Sequence, residues 1–156
     1  MDDLRDEDGV KSIRDFVRNN PDIEATEYIR RGLNGEVYFG KRKKLNDEIV
    51  MKFYWANPNY DETEEAVILK SIKHNNILQL YDVRFVPPNF AYFLTPKIPG
   101  GDLQWQIENK HISSKESLEI VSGILMGVTE LHSQHKLVHR DLKPGNILVD
   151  SATNRV

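Results

Sequence analysis

The chain has 156 residues, with 21 Lys and Arg against 24 Asp and Glu for a net charge of −3, and its 39% hydrophobic and 29% charged content is that of an ordinary globular domain. The charge balance argues against generic nucleic-acid binding, which runs on a basic surface; no apolar run is long enough for a membrane span, and the lack of cysteine rules out disulfides and thiolate metal sites. The acidic start from Met1 to Asp8 has no apolar signal segment, so the expected compartment is the cytoplasm.

Val10, Ile13, Phe16 and Val17 recur at helical spacing, and Asn19-Asn20-Pro21 stops that helix. Short β-like runs at 27–29, 36–39 and 49–54 follow, the last two joined through the turn-like Asn46-Asp47, and read as an antiparallel meander. Asp61 and Glu64 stand at capping-box spacing and open a helix to about Lys73. Strand-like runs at 78–85 and 91–95 bracket Pro87-Pro88-Asn89 and bring the sheet to about five strands.

Beyond Lys97-Ile98-Pro99-Gly100-Gly101 the pattern is helical to about His135, which marks a change from a β-rich to an α-rich lobe. Asp102 is placed to cap a short helix through Trp105. Ser113 and Glu116 form a second capping box, and Val121, Ile124, Leu125, Val128, Leu131 and His132 line one face of the long helix they open. Leu137-Val138 and Ile147-Leu148-Val149 then enclose a charged loop, and Arg155-Val156 opens another strand-like run.

That loop packs an acid, a base and an amide where a hairpin needs only about two to five residues. Taken alone, it is a surface turn closed by Pro144-Gly145-Asn146 with solvated charges. From His139 to Asn146 it resembles, at every defined position, the H-R-D-L-K-P-x-N catalytic loop of eukaryotic-type serine/threonine protein kinases. The resemblance implies that Asp141 accepts or orients the proton of the substrate hydroxyl, that Asn146 binds a Mg2+, and that Lys143 lies against the transferred phosphoryl group.

Upstream residues follow the same family's order. Ile49, Met51 and Phe53 alternate with Val50, Lys52 and Tyr54, so Lys52 points away from the large apolar side chains. Taken alone it is a surface lysine, but Ile49-Val50-Met51-Lys52 resembles the V-A-I-K strand, whose lysine holds the α- and β-phosphates of ATP. Val50 stands where alanine is usual and would narrow the ceiling of the adenine pocket. Glu65 lies on the apolar stripe of Ile68, Leu69 and Ile72; an acid at a stripe's edge can simply reach water, whereas the resemblance supplies Lys52 as its partner.

Arg30 to Val37 resembles the glycine loop G-x-G-x-x-G-x-V, with Arg30 in place of the first glycine while Gly32, Gly35 and Val37 remain. Thr95-Pro96-Lys97-Ile98 resembles the adenine-receiving hinge, with Thr95 at the back of the pocket, Pro96 keeping the carbonyl that its position uses, and Ile98 supplying an N–H. Asp102 would then stand near the ribose, a role compatible with a helix cap. Two constellations keep plainer readings. His132, His135 and His139 lack a fourth ligand at zinc spacing, and Lys41-Arg42-Lys43-Lys44 reads as a solvated hairpin tip.

The resemblance covers roughly residues 23–156 and implies an α+β, protein-kinase-like fold. Residues 1–22 form an acidic head and N-terminal helix. Residues 23–98 form a five-stranded antiparallel small lobe with one main helix and the hinge, and 99–156 the first helices and catalytic loop of an incomplete α-rich large lobe. The D-F-G segment, whose Asp binds Mg2+, the activation loop and A-P-E are not in the sequence. The implied function is ATP-dependent phosphorylation of protein Ser/Thr hydroxyls, with ATP and Mg2+ as cofactors. The alternative is an inactive truncated kinase acting as a binding or regulatory module on a complete kinase; a small-molecule phosphotransferase ranks last, because its loop usually lacks the Lys-Pro pair. Expected partners are a protein substrate or partner kinase, with no nucleic acid and no membrane. The exposed face of the 114–135 helix, with Ile124 and Val128 on it, is expected to favour self-association.

Overall fold

The computed structural model describes residues 3–32, 35–55, 68–86, 90–151 and 156, with side chains of the first helix described from Lys11 onward. Two compact units result, one of residues Met1–Ser71 with Gln79–Lys97, the other of Ile72–Leu78 with Ile98–Val156.

The first unit contains helix α1 (Asp3–Asn19) and strands β1 (Ile23–Gly32), β2 (Gly35–Arg42), β3 (Asp47–Trp55), β4 (Asp82–Val86) and β5 (Phe90–Pro96). The strands form one five-stranded sheet in the order β1-β2-β3-β5-β4, antiparallel throughout. Asn20 turns the chain out of α1 by accepting the backbone N–H groups of Asp22 and Ile23 at 2.9 and 3.1 Å. Asn46 closes the β2–β3 turn with φ +54°, a left-handed conformation that its short polar side chain tolerates.

The alternation along β3 divides the sheet into two faces. Ile49, Met51 and Phe53 are buried with Tyr38, Phe90, Tyr92 and Leu94, and α1 adds Ile13 to this core, with Phe16 and Val17 packed against it. Phe16 meets the rings of Phe53, Phe90 and Tyr92 at 5.9, 5.5 and 5.0 Å. Edge-to-face and tilted aromatic pairs of this kind add about 0.5–1.5 kcal/mol each beyond the burial itself. Helix α1 therefore covers the sheet face opposite Lys52.

Strand β1 starts at Ile23, ahead of the 27–29 run expected, because irregularities between Ala25 and Glu27 and between Tyr28 and Arg30 break the alternation by which its ends would be recognised. β4 starts at Asp82 rather than at residue 78, since Ile72–Leu78 belongs to the other unit. Of the helix expected from Asp61 to Lys73, residues 61–67 lie outside the described residues, and 68–71 are helical.

In the second unit, Asp102 caps α2 (Leu103–Asn109) by accepting the Trp105 N–H at 2.8 Å. The helix continues past Trp105, because buried Gln106 donates its side-chain amide to the Gly100 carbonyl at 2.9 Å and so anchors the next turn. α3 (Ser114–Gln134) opens on the reciprocal Ser113–Glu116 capping box. Its buried residues are Ile120, Gly123, Gly127 and Leu131, whereas Val121 and Leu125 are exposed, together with Leu118 and Met126. The stripe expected from apolar spacing is thus rotated on the helix. The cause lies in two glycines that an apolar count ignores: a Cβ at Gly127 would stand 2.5 Å from the Asn76 carbonyl oxygen, and one at Gly123 2.8 Å from Asn76 Nδ2. Ile124 packs against the Leu103–Ile120–Val149 cluster and Val128 is half-buried, so neither is the exposed position that the sequence pattern suggested.

Leu137-Val138 and Ile147-Leu148-Val149 are not extended strands. An isolated Asp102–Leu148 bridge joins the second run to the start of α2, with Leu103 N–H to Ile147 O at 2.8 Å and Val149 N–H to Gly101 O at 2.9 Å. The strand-like opening at Arg155-Val156 falls largely outside the described residues, and the Val156 carbonyl accepts the Asn76 side-chain amide at 2.8 Å. Among the described residues no helix is long and apolar enough to cross a membrane.

Gly127→Ala tests the packing of α3. Helix propensity alone would make it stabilising by about 1 kcal/mol. The clash is with backbone, however, so we expect a net loss of about 1–3 kcal/mol in chemical denaturation; a gain would show that the Asn76 segment does not sit tightly against α3.

Candidate active site

In the second unit the charged loop runs from Leu137 into a 3-10 turn at Pro144–Asn146, where proline at the first position has no N–H to leave unsatisfied. The Asn146 N–H donates to Lys143 O at 2.9 Å and the Ile147 N–H to Pro144 O at 3.2 Å. Before the turn, the Asp141 N–H donates to His139 O at 2.8 Å, closing a three-residue turn around Arg140, whose φ is +63°. A left-handed arginine is a strained conformation that costs on the order of 1–3 kcal/mol.

These turns bring Asp141, Lys143 and Asn146 together. Lys143 Nζ lies 2.8 Å from Asp141 Oδ2, and Asn146 Nδ2 donates to both the carbonyl oxygen and Oδ2 of Asp141 at 2.8 Å. The hydrogen bond from Lys143, then that from Asn146, hold the Asp141 carboxyl below the ordinary carboxylate range. With all of Asn146's amide hydrogen bonding directed at Asp141, its Oδ1 accepts nothing among the described residues, as does Asp141 Oδ1. The side chains of Asp141 and Lys143 are more than half exposed, open to a reaction partner.

In the first unit Lys52 is half-buried on the sheet face opposite the aromatic core. Register places Arg30 beside Val37, Val37 beside Lys52 and Lys52 beside Phe93, one continuous row across β1, β2, β3 and β5. Burial, and next the charge of Arg30, pull the Lys52 amine below its ordinary range. Val50 lies opposite Thr95, so the buried threonine shares the Lys52 face, and Pro96 follows it opposite Ile49. Gly32 and Gly35 pair across the end of the β1–β2 hairpin, and a Cβ on Gly35 would stand 1.7 Å from the Phe53 carbonyl oxygen, so only glycine fits there.

Ile98 lies in the second unit, where its carbonyl accepts the Gly101 N–H at 3.3 Å. Asp102 has one carboxylate oxygen committed to the α2 cap. Glu65 lies outside the described residues, so the expected Lys52–Glu65 pair is not described. Among the described residues no group of three or more His, Cys, Asp or Glu could hold a metal. Sequence reasoning missed the left-handed turn at Arg140 and the Asp102–Leu148 bridge; an arginine at positive φ has no sequence signature, whereas a strand-like run facing a helix cap could have suggested the bridge.

A protein kinase domain profile matches residues 23–156. Among curated relatives, calcium-dependent protein kinase 4 of Plasmodium berghei is 30% identical over 148 residues, covering 87% of this chain and 28% of the relative. A probable myosin light chain kinase of Dictyostelium discoideum is 34% identical, covering 87% and 34%, and the SNF1-like protein kinase ssp2 of Schizosaccharomyces pombe is 31% identical, covering 81% and 24%. The chain spans about a third or less of the length of these relatives. A crystal structure of Rad53 residues 1–466 in complex with AMP-PNP superposes with a TM-score of 0.71 at 23% identity, covering 83% of this chain and 35% of that one, a likeness of fold.

The acid–base cluster carries a pH prediction. Because the Asp141 pKa is lowered, its contribution to stability is present above the ordinary carboxylate range and is lost as pH falls through the depressed value. Lys143→Met removes the larger cause, so the carboxyl-carbon NMR titration of Asp141 should move up toward the ordinary value; an unmoved titration would show that Lys143 does not hold the acid.

Proposed function

The chain belongs to the protein kinase family, and on that premise we propose that it is the part of a serine/threonine protein kinase that holds ATP and aims a protein hydroxyl at the terminal phosphate. The observation that carries this reading is the Asp141 carboxylate, bracketed by Lys143 and Asn146 in a loop of fixed backbone.

A carboxylate held below its ordinary range is a poor proton abstractor at neutral pH. Asp141 therefore serves first as an acceptor: Oδ2 is occupied by Lys143 and Asn146, and Oδ1 takes the hydrogen bond of the incoming Ser or Thr hydroxyl, aligning its oxygen for attack. The hydroxyl oxygen bonds to the γ-phosphorus as the bond from that phosphorus to the bridging oxygen of ADP breaks, and the proton passes to Asp141 late. The Lys143 ammonium, beside the same carboxylate, neutralises charge on the transferring phosphoryl group.

On the sheet, Lys52 and Arg30 place two cations in one row, and an anionic polyphosphate would relieve the repulsion that pulls Lys52 down. Gly35 allows the backbone to approach the phosphates, and Gly32 is its partner across the hairpin. By resemblance, Val37, Val50 and Thr95 are assigned to the adenine surface, with Pro96 retaining its carbonyl; in the other unit, Ile98 retains an N–H, and Asp102, assigned to the ribose, keeps one carboxylate oxygen outside the helix cap. Glu65 is assigned by resemblance as the partner of Lys52. Of the residues that the resemblance assigns to Mg2+, the chain supplies Asn146, whose free amide oxygen is a hard donor of the kind this ion takes, while the D-F-G aspartate is not in the sequence. When bound, the ion neutralises phosphate charge. The protein substrate, like the phosphotransfer itself, is part of this proposal.

The test is transfer of labelled phosphate from ATP to a Ser/Thr protein substrate. In a chain that also carries the D-F-G segment and the rest of the kinase domain, Asp141→Asn should leave the melting curve in place and lower turnover at least about 100-fold. Turnover within about twofold of wild type would sink the assignment, and nucleotide binding without transfer by the wild-type chain would favour the regulatory-module alternative.

A further inference from the structure

Glu36 is the residue after Gly35 on β2, and it is wholly buried beneath α1. Its Oε2 accepts the Tyr38 hydroxyl at 2.6 Å, and among the described residues its Oε1 accepts no hydrogen bond. Arg14, with Nη2 at 3.8 Å from Oε1, is the cation within ion-pair reach among the described residues, and it stands on α1, upstream of the segment matched by the kinase profile. Burial and the neighbouring carboxylate push the Tyr38 phenol well up, so it remains a hydrogen-bond donor to the acid.

A buried acid so sparsely partnered is a poor source of stability; an apolar residue of similar volume would pack among Phe53, Tyr38 and Phe16 without the desolvation penalty. What Glu36 adds is direction. On the β1 side, an open cleft of about 530 Å3 lies beside this contact, lined by Arg14, Val17, Ile23, Tyr28 and Tyr38 among others. Apolar contact through Ile13, Phe16 and Val17 seats α1 on the core, and the Arg14–Glu36 pair adds a polar contact between the helix and β2. Register then sets Glu36 against Phe53, one residue from Val37, whose partner is Lys52.

We propose that Arg14 and Glu36 are positioning residues, an electrostatic tie by which α1 fixes the start of β2 and so sets Gly35, Val37 and Lys52 for nucleotide binding. This rests on the nucleotide-binding role assigned above to that sheet face. An arginine on a helix outside the family-matched segment thereby acts on a site that it does not touch.

The test uses the full chain, a fluorescent N-methylanthraniloyl ATP as probe, and the variants Arg14→Ala, Arg14→Lys and Glu36→Met. Arg14→Ala and Glu36→Met should each weaken binding at least fivefold, Arg14→Lys should stay within twofold of wild type, and Glu36→Met should melt at or above the wild-type temperature. A merely structural acid would behave otherwise: Glu36→Met folded at full stability and binding within twofold of wild type overturns the proposal. If the wild-type chain does not bind the probe, the nucleotide reading fails by itself, and amide exchange decides the tie. Faster exchange at residues 35–38 than at 91–94 in Arg14→Ala supports it, and unchanged exchange at both overturns it.

Discussion

The structure depends most on the period of two along β3. Successive residues of a strand face opposite sides, so one nine-residue segment puts Ile49, Met51 and Phe53 into an aromatic core and Val50 and Lys52 on the reverse face. Burying each large apolar side chain contributes about 1.5–3 kcal/mol, and that side therefore fixes the register of the strand. Lys52 has no need to stabilise anything; a one-residue slip would exchange it with Met51 or Phe53, and the cost of that exchange keeps the lysine in place. The cation is held by the apolar residues on either side of it in sequence.

The same core explains why α1 is part of the fold. A two-sided sheet with aromatic residues on one face needs a cover, and Ile13, Phe16 and Val17 supply it. Such a cover can transmit as well as shield. Phe53 meets both Phe16 and Tyr38, so one ring joins α1 to β2 and β3, the two strands that carry Val37 and Lys52.

Much of this was legible in the sequence, for physical reasons that differ from residue to residue. The alternation of residues 49–54 identified β3 because one face is buried and the other is not, and the Ser113–Glu116 box identified the start of α3 because the bonds that satisfy a helix end are local. The loop from His139 to Asn146 could be matched to the protein kinase family from residue identity, because the resemblance there is one of side chains in order rather than of hydrophobic period. What could not be read depends on tertiary approach. The buried face of α3 is set by Gly123 and Gly127 against Asn76, about fifty residues away in sequence, and glycine carries no weight in an apolar stripe. The early start of β1 was hidden by its irregular pairing, and the tie from Arg14 to Glu36 joins an exposed helix arginine to an acid that, by composition alone, belongs on a surface.

The cluster around Asp141 looks like an ion pair that shapes a loop, but the magnitudes point the other way. Asp141 and Lys143 are 63% and 58% exposed, and an ion pair so open to water adds little, and less as salt rises. That is no more than the strain held at left-handed Arg140, so the pair cannot be what enforces the turn. The enforcing contacts are on the backbone. The 3-10 turn begins at a proline of fixed φ, and its far end is tied to the start of α2 through Leu103 N–H to Ile147 O and Val149 N–H to Gly101 O. Val149 is itself buried with Leu103 and Ile120, so these hydrogen bonds are shielded from competing water. The loop is thus fastened at its apolar end and strained at its polar end. Lys143 and Asn146 meet Asp141 because the backbone delivers them there, not because the ion pair draws the loop together.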